Sequence, residues 1–278
     1  MAICALPLVS NSSSASSVPP VRRVLRFFKS CILRYEGLYR FVLKFRYGVG
    51  YATPQISAGF PNGALQRRSD WQQATTNARK MGLPLHRSEE KNWDHLAAVA
   101  TLVNHTTPSA HILDAGAELY GNILPALFVH GYRHLYGVNL SFTRSARRGP
   151  IRYLPGDITC MDFPDGSFDA ITCMSVIEHG VPIEAYFREM FRVLKPGGLL
   201  ITSTDYYPTP IDTKGQVAHG APIHIFSKPE IEKMLTLAQS CGFELTGDID
   251  LECARRPIRW HKYGLEFTFL IFTLRKPA

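Results

Sequence analysis

The side chains with chemical capability stand in short clusters, most of them just behind an apolar run. Asp114 and Gly116 follow Ile112-Leu113, with Glu118 two residues on; Asn139 and Leu140 follow Gly137-Val138; Asp157 and Ile158 follow Gly156; Ser175 follows Cys173-Met174, with His179 close behind. Carboxylates accept hydrogen bonds from amines and hydroxyls, and a glycine admits a ligand where any side chain would block it. An imidazole exchanges protons near neutral pH, which makes His179 and His224, with His219 in the same loop as His224, the candidates for proton transfer. The six cysteines show no Cys-x-x-Cys pair and no Cys/His spacing suited to zinc, so no metal site is expected and the thiols read as reduced and mostly buried.

These clusters need a scaffold that brings several chain segments to one edge, and the hydrophobic pattern supplies one. Apolar spacing from Trp93 to Val103 marks a helix. Strands are expected over 110–114, 134–140, 151–154, 168–174 and 199–203, with helices over 122–130, 183–194 and 228–241 between or after them, and two late strands over 243–253 and 265–274. Alternating strands and helices imply a mainly parallel sheet covered on both faces, which takes its ligand beyond the carboxyl ends of the strands at the switch point. The candidate residues sit at those ends.

In order and spacing, the segments Ile112-Leu-Asp-Ala-Gly116, Gly156-Asp157-Ile-Thr, Pro164-Asp-Gly-Ser-Phe-Asp169, Val176-Ile-Glu-His179 and Arg192-Val-Leu-Lys-Pro-Gly-Gly198 resemble the class I S-adenosylmethionine-dependent methyltransferases, of the small-molecule type known as methyltransferase domain 11. The resemblance implies a Rossmann-like α/β fold: a seven-stranded, mainly parallel sheet with an antiparallel last strand and helices on both faces. It implies S-adenosyl-L-methionine as cofactor, held by Asp114, Gly116, Glu118, Asn139, Leu140, Asp157, Ile158 and Ser175. In that scheme Asp157 accepts a hydrogen bond from the adenine amine, Ile158 packs on the ring, and Asn139 stands where the family's acid meets the ribose; Glu118, outside the family pattern, reads either as facing the cofactor's ammonium group or as a first-turn acid stabilising the following helix. Two departures accompany the resemblance. The second turn glycine is replaced by Glu118, and the ribose-binding acid is replaced by Asn139. The implied reaction is in-line methyl transfer, with O-methylation of a small-molecule, glycan or lipid intermediate expected and His179 and His224 as candidate bases. The alternative is an inactive protein of this fold that binds a membrane or a partner. A nicotinamide-dependent oxidoreductase lacks support, because Gly116-Ala-Glu-Leu-Tyr-Gly121 does not supply Gly-x-Gly-x-x-Gly. No Asp/Asn-Pro-Pro-Tyr-like segment is present at Cys173-Met-Ser175, which removes resemblance to enzymes acting on DNA-base amines.

Of 278 residues, 31 are Lys or Arg and 23 are Asp or Glu, a formal net charge of +8. Residues 1–69 hold ten basic side chains and only one acid, Glu36, so the remainder is close to neutral and no broad nucleic-acid face is expected. Residues 1–20 read as a disordered tail and 21–69 as a basic amphipathic helix plus linker, followed by the methyltransferase-like domain over 70–278. Helical spacing over 21–47 places Val24, Phe28, Cys31, Ile32, Tyr35, Leu38, Tyr39 and Val42 on one face, with Arg22, Arg26, Lys29, Arg40 and Lys44 on the other. That pattern fits either peripheral contact with an anionic membrane or packing on the body. A cytoplasmic location, peripheral at a membrane, is expected, and the acid-poor N-terminus leaves organellar import open.

Overall fold

The computed structural model describes residues 33–48, 62–218 and 220–278. The tail over 1–20, the first part of the basic helix, the linker over 49–61 and His219 lie outside the described residues.

Long apolar runs between turn residues become the centre of one sheet because both faces of each strand are buried. Strand β1 is Gly63–Ala64, β2 His111–Ala115, β3 His134–Asn139, β4 Ala146–Arg148, β5 Ile151–Pro155, β6 Phe168–Met174 and β7 Leu194–Tyr206. Val217–Ala218 and Ala221–Pro222 form a separate hairpin, β8 and β9, and the last strands are β10 Glu244–Leu245, β11 Ile258–Trp260 and β12 Leu265–Arg275. The order across the sheet is β1-β12-β7-β6-β2-β3-β5-β4, with β10 and β11 also paired to β12. β5, β3, β2, β6 and β7 are mutually parallel, while β12 runs antiparallel to β7 and to β10. The central seven strands are therefore β5-β3-β2-β6-β7-β12-β10, as expected. The chain turns back from β5 to β6 across β2, so the switch point falls between β2 and β6.

The helices are α1 Glu36–Tyr47, α2 Arg68–Lys80, α3 Asn92–His105, α4 Ile123–Val129, α5 Ile183–Val193 and α6 Lys228–Ser240. Two apolar cores cover the sheet. One joins α5 and α6, through Phe187, Met190 and Met234, to the strands. The other joins α1, α3 and α4, through Leu43, Leu102 and Phe128. A third cluster, with Trp71, Ile223, Ile258 and Phe269, gathers where β12 begins and β7 ends.

Three departures from the sequence pattern have local causes. The strand expected over 243–253 shrinks to β10, because the outer edge of β12 is shared: Glu244 and Leu245 pair with Arg275 and Leu274, while Gly63 and Ala64 pair with Ile271 and Leu270. Residues read as linker thus add an edge strand. β7 runs on past Ser203 to Tyr206, since β12 pairs with it as far as Thr268.

Candidate active site

The site grows from the turn after β2. Gly116 has φ +87, and a Cβ there would stand 2.3 Å from Val176 Cγ2, so the turn requires glycine both for its conformation and for the approach of the β6 loop. The N–H groups of Gly116 and Ala117 donate to the Val138 carbonyl at 2.8 and 3.1 Å, which ties the turn to the end of β3.

Asn139 completes that tie. Its amide nitrogen donates to the carbonyls of Gly116 at 3.1 Å and Ala117 at 2.9 Å, while its amide oxygen accepts from the Ser141 N–H at 2.7 Å. The side chain braces the turn with its donors, a task an acid at this position has no hydrogen to perform. Leu140 beside it is 73% exposed, an apolar side chain open to cover a ring. Asp157 accepts from the Thr159 N–H at 2.8 Å and the Thr159 hydroxyl at 2.7 Å, which holds its carboxylate in one orientation, and Ile158 is buried beside Val138 in the core.

Asp114 and Glu118 bring two carboxylates together at the end of β2. Burial pushes the Asp114 carboxyl up to about 7; the Thr172 hydroxyl, donating at 2.8 Å, opposes this and Glu118 reinforces it. Burial likewise raises Glu118, with Arg87 opposing. A buried and a half-buried acid that repel each other suit a cationic partner. With the apolar Leu140 and Ile158 and the acceptor Asp157, this donor set fits the cofactor that the resemblance implies.

Beyond the ends of β6 and β7 lies a second group that motif reasoning passed over. Ser175, expected only to line the site, holds φ +54, an uncommon conformation for a residue with a side chain. Its hydroxyl accepts from the Lys91 ammonium. That ammonium also stands 3.7 Å from the Asp205 carboxylate and 3.6 Å above the Phe269 ring. The alternation of β7 distributes its polar end to two faces. On one, the Ser203 hydroxyl donates to Asp94 at 2.7 Å; on the other, the Thr204 hydroxyl donates to Glu178 at 3.1 Å and Thr202 meets the Tyr186 hydroxyl at 2.9 Å. Glu178, Asp94 and Asp205 are all buried. Burial drives Glu178 and Asp205 well above the usual carboxylate range, Lys91 pulls both down, and Glu178 pushes Asp205 up further.

His179 is half-buried in the loop after β6, and its charge acts on Asp205. His224 goes elsewhere. It is exposed, its Nε2 lies 3.2 Å from Glu230 at the start of α6, and its ring meets Phe226 edge-on at 4.4 Å. No hydrogen bond or ion pair among the described residues joins it to Asp114, Ser175 or Asp205. Glu178 sits inside the Val176–His179 unit and Asp205 at the end of a strand, so an acid within apolar sequence was the signal available for both. Lys91 and Asp94 carried none, since their role arises from the docking of α3.

A cavity of about 540 Å³ opens at the opposite edge, against the amino ends of the parallel strands, between His111, Asp169, Lys195 and Arg275. There Lys195 donates to Asp169 at 2.8 Å and Asp169 accepts the His111 N–H at 2.7 Å, which braces the strand starts. Parallel sheets of this kind take ligands at the other edge.

Residues 113–202 match the family model described as methyltransferase domain. This segment is similar to a methyltransferase domain. It contains most of β2, all of β3 to β6 and most of β7, and hence the Gly116 turn, Asn139, Asp157 and Ser175; the sheet around it has the seven mainly parallel strands and antiparallel last strand that the resemblance implied. The chain is 31% identical over 125 residues to sterol 24-C-methyltransferase erg6 of Aspergillus fumigatus, covering 43% of this chain and 33% of that protein. It is 25% identical over 186 residues to 24-methylenesterol C-methyltransferase 2 of Oryza sativa subsp. japonica, covering 61% of this chain and 50% of that one. The chain thus spans a third to a half of these curated relatives. Among solved structures, the [4+2]-cyclase SpnF aligns with a TM-score of 0.50 at 19% identity, covering 80% of this chain and 100% of that one. That likeness concerns the fold, which is separable from the reaction.

Proposed function

We propose that the chain is an S-adenosylmethionine-dependent methyltransferase acting on a small-molecule acceptor. The methyltransferase domain match supports the reaction class. The observation that carries the acceptor side is the buried Glu178–Asp205 pair with Lys91, at the carboxyl ends of β6 and β7 and beside the apolar cluster of Phe269, Trp71 and Tyr207.

Asp114, Glu118, Leu140, Asp157 and Ile158 would hold the cofactor, with Gly116 and Asn139 shaping the turn on which it rests. When bound, the cofactor supplies an electrophilic methyl group on a sulfonium with a good leaving group. Transfer in line to a positioned nucleophile needs little beyond orientation, and a base is required only when the acceptor must give up a proton. Asp205 is placed for that proton: Lys91 favours its ionised form, and Glu178 beside it raises its basicity. The apolar cluster suits a largely hydrocarbon acceptor with one polar group, consistent with the sterol acceptors named for the relatives. For this chain we infer a hydroxyl as the acceptor atom, since a carboxylate pair with a raised pKa matches removal of a hydroxyl proton.

The test is transfer of labelled methyl from S-adenosylmethionine to a panel of hydroxylated apolar compounds, sterols included, with the product's methyl located by NMR. Methyl on oxygen supports this reading, whereas methyl on carbon overturns the hydroxyl assignment. Asp205→Asn is expected to lower kcat about 100-fold or more with cofactor affinity unchanged; unchanged turnover removes Asp205 from the role of base.

A further inference from the structure

Helix α1 has two apolar faces, and the body of the protein covers one. Tyr39 and Leu43, four residues apart, are buried. Tyr39 stacks on Phe128 with ring centroids 5.6 Å apart, and the Gly149 N–H donates to the Leu33 carbonyl at 2.8 Å just ahead of the helix. Arg133 of the body reaches Glu36 at 3.0 Å. These contacts set the rotation of the helix, and helical geometry then turns Leu38, Phe41 and Phe45 to the far side. Phe41 is 64% and Phe45 87% exposed.

This exposure is concentrated. Tyr35, Leu38, Phe41 and Phe45 are half of the eight large apolar side chains exposed among the described residues. Apolar residues scattered singly over a surface need no explanation, but a stripe of aromatics along one short helix marks a contact site. Its surroundings are basic. Arg34, Lys44 and Arg46 are exposed, Lys44 and Arg46 flank the stripe on its two sides, and the one acid of the segment, Glu36, is engaged by Arg133. No helix among the described residues is long and apolar enough to cross a membrane.

We propose that α1 docks the protein on an anionic lipid surface, with Leu38, Phe41 and Phe45 in the headgroup layer and Arg34, Lys44 and Arg46 against the lipid phosphates. A short helix with an aromatic stripe between basic residues lies in the plane of such an interface. The docking leaves the buried face of α1 on the body, so the helix is a bridge between protein and lipid and its two faces have separate tasks. The inference does not rest on methyl transfer.

The experiment is flotation of the full chain with phosphatidylcholine vesicles, with and without a third of phosphatidylserine, at low and high salt. The wild type is expected to float with the anionic vesicles and to stay behind with the neutral ones. Phe41→Gln with Phe45→Gln is expected to weaken binding about ten-fold or more, and Arg34→Gln with Arg46→Gln about thirty-fold at low salt. Both variants should unfold at the wild-type temperature, because the altered side chains face outward. Basic residues before Arg34 are untouched in both, so equal binding by the wild type and the phenylalanine variant overturns the assignment of the stripe. Absence of binding to anionic vesicles, or equal binding to neutral ones, overturns it as well. A dimer that becomes a monomer in the phenylalanine variant, seen by sedimentation velocity, would replace lipid with a second copy of the chain as the occupant.

Discussion

Asn139 shows how an amide side chain can brace a turn that lies far along the chain. Its two amide hydrogens satisfy the carbonyls of Gly116 and Ala117, and an aspartate there would set a negative charge against both oxygens. Asn139→Asp, which restores the acid expected for ribose binding, is therefore predicted to destabilise the protein by about 2 kcal/mol and to weaken cofactor binding. Urea unfolding and calorimetric titration check this, and a variant that binds S-adenosylmethionine more tightly would refute it. Asp114 makes a prediction about pH. Its carboxyl is held at about 7 in the folded protein against 3.8 for the free group, so between those values the folded state keeps a proton that the unfolded state has lost. Stability from this group is full below pH 3.8 and drains as pH rises to about 7, on the order of 4 kcal/mol in all. Glu178 and Asp205 shift in the same direction. The contribution of Asp114 alone is the change in the free-energy difference between wild type and Asp114→Asn from pH 4.5 to pH 8; a difference that stays constant contradicts it.

Elements here are fixed by single faces and single ends. α6 starts with Ser227, whose N–H donates to Glu230 at 2.7 Å as half of a capping box, and Glu230 also engages His224. Ser227→Ala is expected to cost about 1 kcal/mol. In α1 the two faces should respond differently. Tyr39→Ala removes a buried ring and is expected to cost about 3 kcal/mol, whereas Phe45→Ala should change stability by less than about 0.5 kcal/mol. Chemical denaturation of the two variants side by side measures the contrast, and equal losses would mean that the helix packs on both faces.

At the scale of the whole molecule, the proposed cofactor site and the fold share one turn. Binding to the folded state alone should stabilise it by about 2.7 kcal/mol at a ligand concentration 100 times the dissociation constant. S-adenosylhomocysteine is thus expected to raise the melting temperature of the wild type by several degrees and to leave that of Gly116→Ala unmoved. The variant's new Cβ, 2.3 Å from Val176, displaces the turn that the β6 loop approaches and on which the proposed cofactor site is built. A shift of equal size in both proteins would place the cofactor away from Gly116.

The sequence by itself determined the alternation of strands and helices, and with it the edge at which the candidate site lies. Apolar runs such as Phe168–Met174, buried on both faces, leave a periodicity that needs no long-range knowledge to read. It also determined the Asp157 turn, because its bonds to Thr159 are a local arrangement within a few residues. Only tertiary structure decided the acid group. Lys91, Asp94, Glu178 and Asp205 come from three separate stretches, and they meet because α3 docks across the ends of β6 and β7. Tertiary structure likewise joined Asn139 to the Gly116 turn, tied His224 to α6, cut the strand expected over 243–253 short at a shared edge, and chose which face of α1 is covered. In each case the deciding partner lies far along the chain, where neither spacing nor propensity carries information about it.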